Sequence, residues 1–532
     1  MSRPWWEAAV IYQIYPRSFQ DSDGDGVGDL NGIADRLDAL VALGVDALWI
    51  SPIFPSPMAD FGYDVANYCG IDPRFGTLAD FDRLVAACHA RGLKLLLDFV
   101  PNHSSVEHPW FQESRASRSS DKRDWYIWRD PAADGGPPNN WISDFGGPAW
   151  TFDEASGQYY YHAFLPAQPD LNWRHPEVRA AMTDVLRFWL GRGVDGFRID
   201  VLWHVIKHAD FPDNPPNPAY EPRMGEMHRV LQVHSTDQPE VHHVAADMRH
   251  LADRFGDRLL IGEIYLPYDR LMAYYGVDRP GVHLPFNFRL IETEWTAAAI
   301  HQVIEEYEAA LPAGGWPTWV LGNHDRTRIA ARVGELQARV AAMLLLTLRG
   351  TPTLYQGDEL GIGHVAVPPE RVADPRELRE PGLGLGRDPV RTPMAWDASA
   401  HAGFSTGEPW LPLHVDWPTR NVAAMQADPG SIWMLHRDLL ALRRASPALS
   451  VGAIRLWPVA GEVLAFEREE AGERMLVALN LGDAPARLLL PKGLAGAVAL
   501  STDGGGGQVL SELALAANEG VIVRVTETGR SG

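Results

Sequence analysis

The feature that most constrains this chain is an alternation of short apolar runs with longer stretches of helical period. Val10–Tyr15, Ala47–Ile50 and Leu93–Val100 have strand character. Between them, Ile33–Leu43 and Asp80–Ala90 repeat apolar residues at helical spacing, with Phe81, Leu84, Val85 and Cys88 on one face. Strand–helix–strand order predicts parallel pairing, and the near-continuous apolar run Leu93–Val100 suits a strand covered on both faces. The alternation resumes with helices over Val178–Gly191, Val244–Phe255, Trp295–Leu311 and Leu336–Arg349. Strands are expected at Gly196–Asp200, Leu259–Glu263, Val282–Phe288, Pro317–Asn323 and Thr351–Gln356. Eight strands in this order predict an α/β fold, a (β/α)8 barrel.

Two stretches break the rhythm. Ser104–Asp170 is rich in Ser, Asp, Pro, Gly and Trp, and so long an irregular segment implies a functional insertion or a subdomain. Gly361–Gly407 is a second, Pro- and Gly-rich insertion. Past Ser446 short alternating segments such as Val463–Arg468 and Met475–Leu481 suggest antiparallel β-structure. The expected organisation is a barrel over 1–103 and 171–445, an inserted subdomain over 104–170, and a C-terminal antiparallel β-sandwich over 446–532.

A net charge of 47 − 69 = −22 argues against nucleic acid or an anionic membrane as partner. It suits a small neutral ligand, and nineteen tryptophans and fifteen tyrosines offer faces for sugar rings. Two cysteines, Cys69 and Cys88, cannot build a disulfide framework. The N-terminal stretch Met1–Glu7 lacks the features of a signal peptide, and no apolar run reaches membrane-spanning length. The expectation is a cytoplasmic protein, a monomer or homodimer, with no organic cofactor.

Three carboxylate-bearing segments then stand out. They are Gly196-Phe197-Arg198-Ile199-Asp200, Ile261-Gly262-Glu263 and Gly322-Asn323-His324-Asp325. Each puts an acid at the end of an expected strand, where a barrel gathers its active site. Two carboxylates flanking a glycosidic bond suffice to split it, and a third can steady the cationic transition state. Arg198, two residues before Asp200, shares its face of the strand and would favour the ionised form a nucleophile requires.

With Asp98-Phe-Val-Pro-Asn-His103, Gln168-Pro-Asp170-Leu-Asn172, Tyr355-Gln-Gly-Asp358-Glu359 and Arg391-Thr-Pro-Met394, these segments resemble the α-amylase superfamily of glycoside hydrolases, within it the α-glucosidase and oligo-1,6-glucosidase group. The resemblance implies Asp200 as nucleophile, Glu263 as general acid/base and Asp325 as transition-state stabiliser. It implies a glucose pocket made by Asp60, Tyr63, His103, Arg198, His324 and Arg391, and small α-glucosides as substrates. Val201, after the nucleophile, goes in that group with acceptance of α-1,6 bonds, where threonine goes with α-1,4 restriction. The alternative on the same machinery is a glucosyltransferase or sucrose isomerase.

Asp21, Asp23, Asp25 and Asp29, with Gly26 at the sixth position, begin like an EF-hand loop but lack its closing glutamate. With the Val27 carbonyl they would hold one structural Ca2+ or Mg2+, as the resembling enzymes do.

Overall fold

The computed structural model describes residues 3–509 and 511–527; Met1 and Ser2 of the N-terminal stretch lie outside them. Eight parallel strands form one sheet: β1 (Ile11–Ile14), β2 (Ala47–Ile50), β3 (Lys94–Phe99), β4 (Gly196–Ile199), β5 (Leu259–Gly262), β6 (Leu284–Pro285), β7 (Thr318–Val320) and β8 (Thr351–Tyr355). Their order is β7-β8-β1-β2-β3-β4-β5-β6, so the barrel's seam lies between β6 and β7. Registers such as Ile11↔Ala47, Ala47↔Lys94 and Leu96↔Gly196 keep neighbouring strands level. At Gly196 a Cβ would come within 2.1 Å of the Leu259 carbonyl oxygen, so only glycine lets β4 lie this close to β5.

Each expected strand exists, two of them shortened: Pro317–Asn323 pairs only over Thr318–Val320. Val282–Phe288 reads as seven residues of strand, yet only Leu284–Pro285 pairs. Pro285 has no N–H to offer, and β6 borders the seam. The barrel interior is packed with Ile11, Trp49, Leu96, Ile261, Phe286 and Val320.

Helices cover the outside. Leu78–Ala90 starts in a full capping box of Thr77 and Asp80 and buries Phe81, Leu84, Val85 and Cys88, the face that the periodicity predicts. Removing one such leucine to alanine would cost about 2–5 kcal/mol. The helix expected over Ile33–Leu43 is two, Leu30–Asp35 and Leu37–Leu43, broken at Arg36. There the side chain leaves the helix line to donate to Gln20 and lie over Trp396.

The first insertion is more regular than its composition suggests. It holds the helix Pro109–Ala116 and a three-stranded antiparallel sheet of Trp128–Arg129, Gln158–Tyr161 and Trp150–Asp153 around a Trp141–Trp150–Tyr161 core. The helices Ile432–Ala445 and Pro447–Val451 carry the chain to the C-terminal β-structure, which begins at Ala453. It comprises a six-stranded antiparallel sheet and the pair Ala486–Leu489 with Glu512–Leu515. Among the described residues no helix is long and apolar enough to cross a membrane.

Candidate active site

The C-terminal ends of the strands surround one cavity of about 570 Å3. Asp200 follows β4, Glu263 follows β5, and Asp325 stands on the turn after β7; all three line it. Asp60, Tyr63, His103 and Val201 line it as well.

Arg198 organises the centre from behind. Nη1 donates to Asp98 Oδ1 and to Asp200 Oδ1, each at 2.7 Å, and Nη2 pairs with Glu263 Oε2 at 2.7 Å. One guanidinium thus faces three buried carboxyl groups, and the cluster cannot be fully ionised without a large penalty. Arg198 does not set Asp200 alone, as its place on the strand suggests. Burial raises Asp200 well above the usual carboxylate range and Glu263 adds to this, with Arg198 opposing. Burial also raises Glu263, with Asp325 adding and Arg198 opposing. The ionisation of Asp200 and of Glu263 therefore depends on the other's charge.

Val201 sits at φ +36°, ψ +47°, in the left-handed region that a β-branched residue rarely enters. The turn aims its N–H at Glu263 Oε2, 2.9 Å away. Asp60 stands between Met58 and Phe61, which also have positive φ. Such strain next to a site persists where the surroundings over-determine the backbone.

Asp325 is the contrasting acid. Burial would raise it, yet His324, Arg391 and Arg387 pull it well below the usual range. Arg391 Nη2 reaches its Oδ1 at 2.7 Å and Arg387 Nη1 at 3.3 Å. His324 is fully buried and pushed down to about 3, mainly by burial, so it is neutral. Its Nδ1 meets Gln13 Nε2 at 2.7 Å, and its Nε2 meets the Tyr63 hydroxyl at 2.7 Å. Tyr63 in turn donates to Asp98 Oδ2 at 3.0 Å. With the proton placed on Nε2, the donor chain runs from Gln13 through His324 and Tyr63 to Asp98. His103, pushed down to about 4 by burial, is neutral too.

Three expected pocket residues stand behind the cavity wall. Arg391 does not reach the cavity: it is fully buried behind Asp325, with Nε on the His324 carbonyl oxygen at 2.9 Å. Arg387, four residues earlier, lines the cavity instead and pairs with Asp60 Oδ1 at 2.7 Å and with Asp374. Arg198 and His324 likewise stand behind the wall, positioning the groups that face the ligand space. Two residues absent from the sequence-derived pocket brace it from behind. Gln168 bridges Asp60 and His103, each at 3.2 Å, and Asp98 anchors both Arg198 and Tyr63. Both lie in segments already singled out; an acid inside the apolar run Leu93–Val100 is the signal for Asp98.

The inner end of the cavity is closed by Asp60 and Arg387. The outer half is walled by the insertions, with Asp144 and Phe164 from the first and Trp203, Met227 and Gln232 from the loop after β4. Asn217, in the Pro-rich part of that loop, also lines it. Tyr265 stacks on Phe288 with ring centroids 4.1 Å apart, giving the outer half an aromatic flank.

In the acidic loop, carboxylate oxygens of Asp21, Asp23 and Asp29 lie within 4.8 Å of one another, while Asp25 is turned onto the Val27 N–H. Asp21 accepts the N–H groups of Asp23, Gly24 and Gly26 and the hydroxyl of Ser405 from the second insertion. Asp29 caps the helix Leu30–Asp35. Burial and the neighbouring Asp23, Asp21 and Asp29 raise Asp25, the mark of crowded negative charge. A donor set made only of oxygen in such surroundings fits a hard divalent cation.

The model of the α-amylase catalytic domain matches residues 13–452. A probable α-glucosidase of Rhizobium meliloti is 41% identical over 505 residues, 92% of this chain and 91% of that protein. The oligo-1,6-glucosidase of Heyndrickxia coagulans is 38% identical, covering 90% and 92%. Among solved structures, the α-glucosyl transfer enzyme XgtA superposes with a TM-score of 0.94 at 42% identity, covering 99% of this chain and all of that one. The trehalulose synthase MutB from Pseudomonas mesoacidophila gives 0.92 at 36%, with the same coverage. With that match running from β1 through the last strand of the barrel and around its cavity, the chain belongs to the α-amylase catalytic-domain family and is a glycoside hydrolase.

Proposed function

We propose that this glycoside hydrolase is a retaining, exo-acting α-glucosidase that releases glucose from the non-reducing end of short α-glucosides. The observation that carries this reading is Arg198 bonded to both Asp200 and Glu263 at 2.7 Å, which holds the two carboxyl groups within the span of one guanidinium. That proximity suits a double displacement, in which the second acid attacks, better than one with a water molecule between them. In this reading Asp200 attacks the anomeric carbon and the glycosidic C–O bond breaks. Glu263 gives its proton to the departing oxygen, then takes one from the water that releases glucose. As Asp200 gives up negative charge to the new bond, Arg198 remains on Glu263. Asp325, held ionised, steadies the positive charge that develops on the sugar. The Asp60–Arg387 pair closes the inner end, so a chain enters only by its terminal residue.

Val201 next to Asp200 supports acceptance of α-1,6 as well as α-1,4 bonds, because it offers no hydroxyl to favour one leaving sugar. The likeness to XgtA and MutB, described as a glucosyl transfer enzyme and a trehalulose synthase, favours a second outcome on the same intermediate: transfer to a sugar or alcohol in place of water.

Asp21, Asp23 and Asp29 would hold a Ca2+ or Mg2+, with Asp25 and the Val27 carbonyl as further oxygen donors. When bound, the ion supplies positive charge that offsets the acids and ties the loop, through Asp21 and Ser405, to the second insertion.

Product analysis tests the reading. Maltose, isomaltose and sucrose are each expected to yield glucose, with α-glucose as the first anomer seen by NMR. Release of β-glucose first, or undiminished turnover of 4-nitrophenyl α-glucoside by Asp200→Ala, would refute it.

A further inference from the structure

Four arginines line the cavity, and they divide sharply. Arg387 is saturated by Asp60, Asp325 and Asp374. Arg289, Arg326 and Arg376 line the outer half and, among the described residues, make no carboxylate pair within 4.0 Å. Arg289 is an exposed rim residue. Arg326 and Arg376 are not rim residues. Arg326 lies over the Tyr265 ring, 4.8 Å from its centroid, with Nε 3.4 Å from the Tyr265 hydroxyl. Arg376 rests one Nη2 on the Met227 sulfur at 3.5 Å, and its buried Nε has no hydrogen-bond partner.

The acids nearby are partly engaged by other donors, although Asp144 and Glu380 still favour charged Arg376, and Glu292 and Asp325 charged Arg326. Asp144 accepts the Gln232 amide at 2.7 Å, and Glu380 accepts the Glu226 N–H at 2.7 Å. Glu292, the remaining acid at the mouth, is exposed. Arg326 and Arg376 also lower each other's neighbour: burial depresses His228, and Arg376 and Arg326 add to it. Arg326, Arg376 and His228 line the same cavity, so an anion held there would meet both guanidinium groups. The chain as a whole carries −22, so this concentration of positive charge runs against its surface.

We propose that Arg326 and Arg376 form an anion-recognising subsite in the outer half of the cavity, which selects glucosides or glucosyl acceptors whose non-glucose part bears a carboxylate or a phosphate. The inference rests on the α-glucosidase reading and specifies what lies beyond the scissile bond. The guanidinium fork suits both anions, since each presents paired oxygens. Nothing in the step at Asp200 and Glu263 changes; the anion orients the leaving group.

The test compares matched substrates. Maltobionate against maltitol gives a carboxylate and its neutral open-chain counterpart. Maltose phosphorylated on O6 of its reducing glucose, against maltose, gives the phosphate arm. In wild type, kcat/KM for at least one anionic member is expected to exceed its neutral counterpart about tenfold, and to lose that advantage as salt rises. In Arg326→Gln and Arg376→Gln the anionic-to-neutral ratio is expected to fall at least tenfold. If Arg376→Gln does not fold, Arg326→Gln and the wild-type salt dependence decide. Equal or poorer turnover of both anionic members in wild type, or an unchanged ratio in the variants, would overturn the proposal. Wild type that turns over no neutral α-glucoside would instead overturn the reading beneath it. In that case calorimetric binding of glucose 6-phosphate, with glucose as control, still decides the subsite: binding weakened by Arg326→Gln supports it, and indifference to phosphate sinks it.

Discussion

The backbone N–H of Val201 donates to Glu263 Oε2 at 2.9 Å, from a residue whose φ is +36°. The residue after the expected nucleophile thereby fixes the position of the expected acid, and the geometry costs on the order of 1–3 kcal/mol of backbone strain. Val201→Thr keeps the β-branch and the N–H, so Tm should stay within a few degrees of wild type. The added hydroxyl would stand at a residue that lines the cavity. The ratio of isomaltose to maltose kcat/KM should fall about three- to tenfold, measured by glucose release. An unchanged ratio would remove Val201 from the account of linkage preference.

Arg198 is the only cation bonded to Asp98, Asp200 and Glu263 among the described residues, so its loss should be disproportionate. Arg198→Gln is expected to lower kcat by at least about 10³, in line with losing preorganised charge in a dry site. Arg198→Lys should not restore it, because one ammonium cannot reproduce contacts made by two separate nitrogens of a planar fork. Single-turnover rates with 4-nitrophenyl α-glucoside would show this, and recovery with lysine to within tenfold of wild type would contradict it.

The pH profile follows from the proposed role of Glu263. Burial raises Glu263, and in the proposed mechanism its protonated form helps the leaving oxygen depart. Activity is therefore expected to fall as pH rises through that raised value, placing the basic limb of kcat/KM above the usual carboxylate range. Glu263→Gln should abolish that limb. It should also harm maltose far more than 4-nitrophenyl α-glucoside in the glucosylation step, because nitrophenolate leaves without a proton. A basic limb that survives in Glu263→Gln would assign the proton elsewhere.

Arg387 and Arg391 differ in what their loss does to binding. Arg387→Gln opens the closed inner end and strips buried Asp60 and Asp374 of their charge partner, so it should raise KM for maltose about tenfold or more and lower Tm as well. Arg391→Gln leaves the His324 carbonyl oxygen without its donor and Asp325 with only Arg387 and His324 beside it, a loss of up to about 3–5 kcal/mol for buried pairs. It should show mainly as a lower Tm by calorimetry. A rise in KM for Arg391→Gln as large as for Arg387→Gln would return Arg391 to the pocket.

These two arginines also show where reading the sequence stops. Periodicity and strand-end acids reveal the barrel, its order and the three carboxylates, because a period of 2 or 3.6 is a local property. Arg387 and Arg391 share one short segment, and the single 3-10 turn Asp388–Val390 between them decides which faces the ligand. That choice depends on how the second insertion crosses the barrel mouth, and no local pattern encodes it. Asp144, Arg326 and Arg376 were illegible for the same reason: their partners come from distant segments. Asp98 was legible as a charge in an apolar strand, but its role appears only once Arg198 and Tyr63 are seen bonded to it.

Glu359 gives a pH-dependent stability signal away from the catalytic acids. It is buried, accepts the Tyr12 hydroxyl at 2.7 Å, and is pushed up to about 7, chiefly by burial. Because the folded value lies above the ordinary one, its stabilising contribution is present below about pH 4.5 and lost as pH rises through about 7. The change is on the order of 3 kcal/mol. Glu359→Gln should flatten the decline of Tm between pH 5 and 8, by differential scanning calorimetry. A decline as steep as in wild type would show that Glu359 does not carry it.

The acidic loop offers the last test. Asp23 is exposed, accepts only the Asp25 N–H among the described residues, and yet brings its carboxylate to Asp21 and Asp29. A side chain with so little to hold in the protein itself is the one to change, since Asp21 and Asp29 also brace the loop through backbone N–H groups. A bound divalent ion stabilises the native state by RT ln(1 + [L]/Kd), about 2.7 kcal/mol at a hundredfold excess over Kd. For a chain of this size that is a shift of a few degrees in Tm. Wild type is expected to lose those degrees in chelator and regain them with Ca2+ or Mg2+. Asp23→Asn should start near the chelated value and respond to neither. Equal Tm in all conditions would leave the loop as a hydrogen-bonded turn and no more.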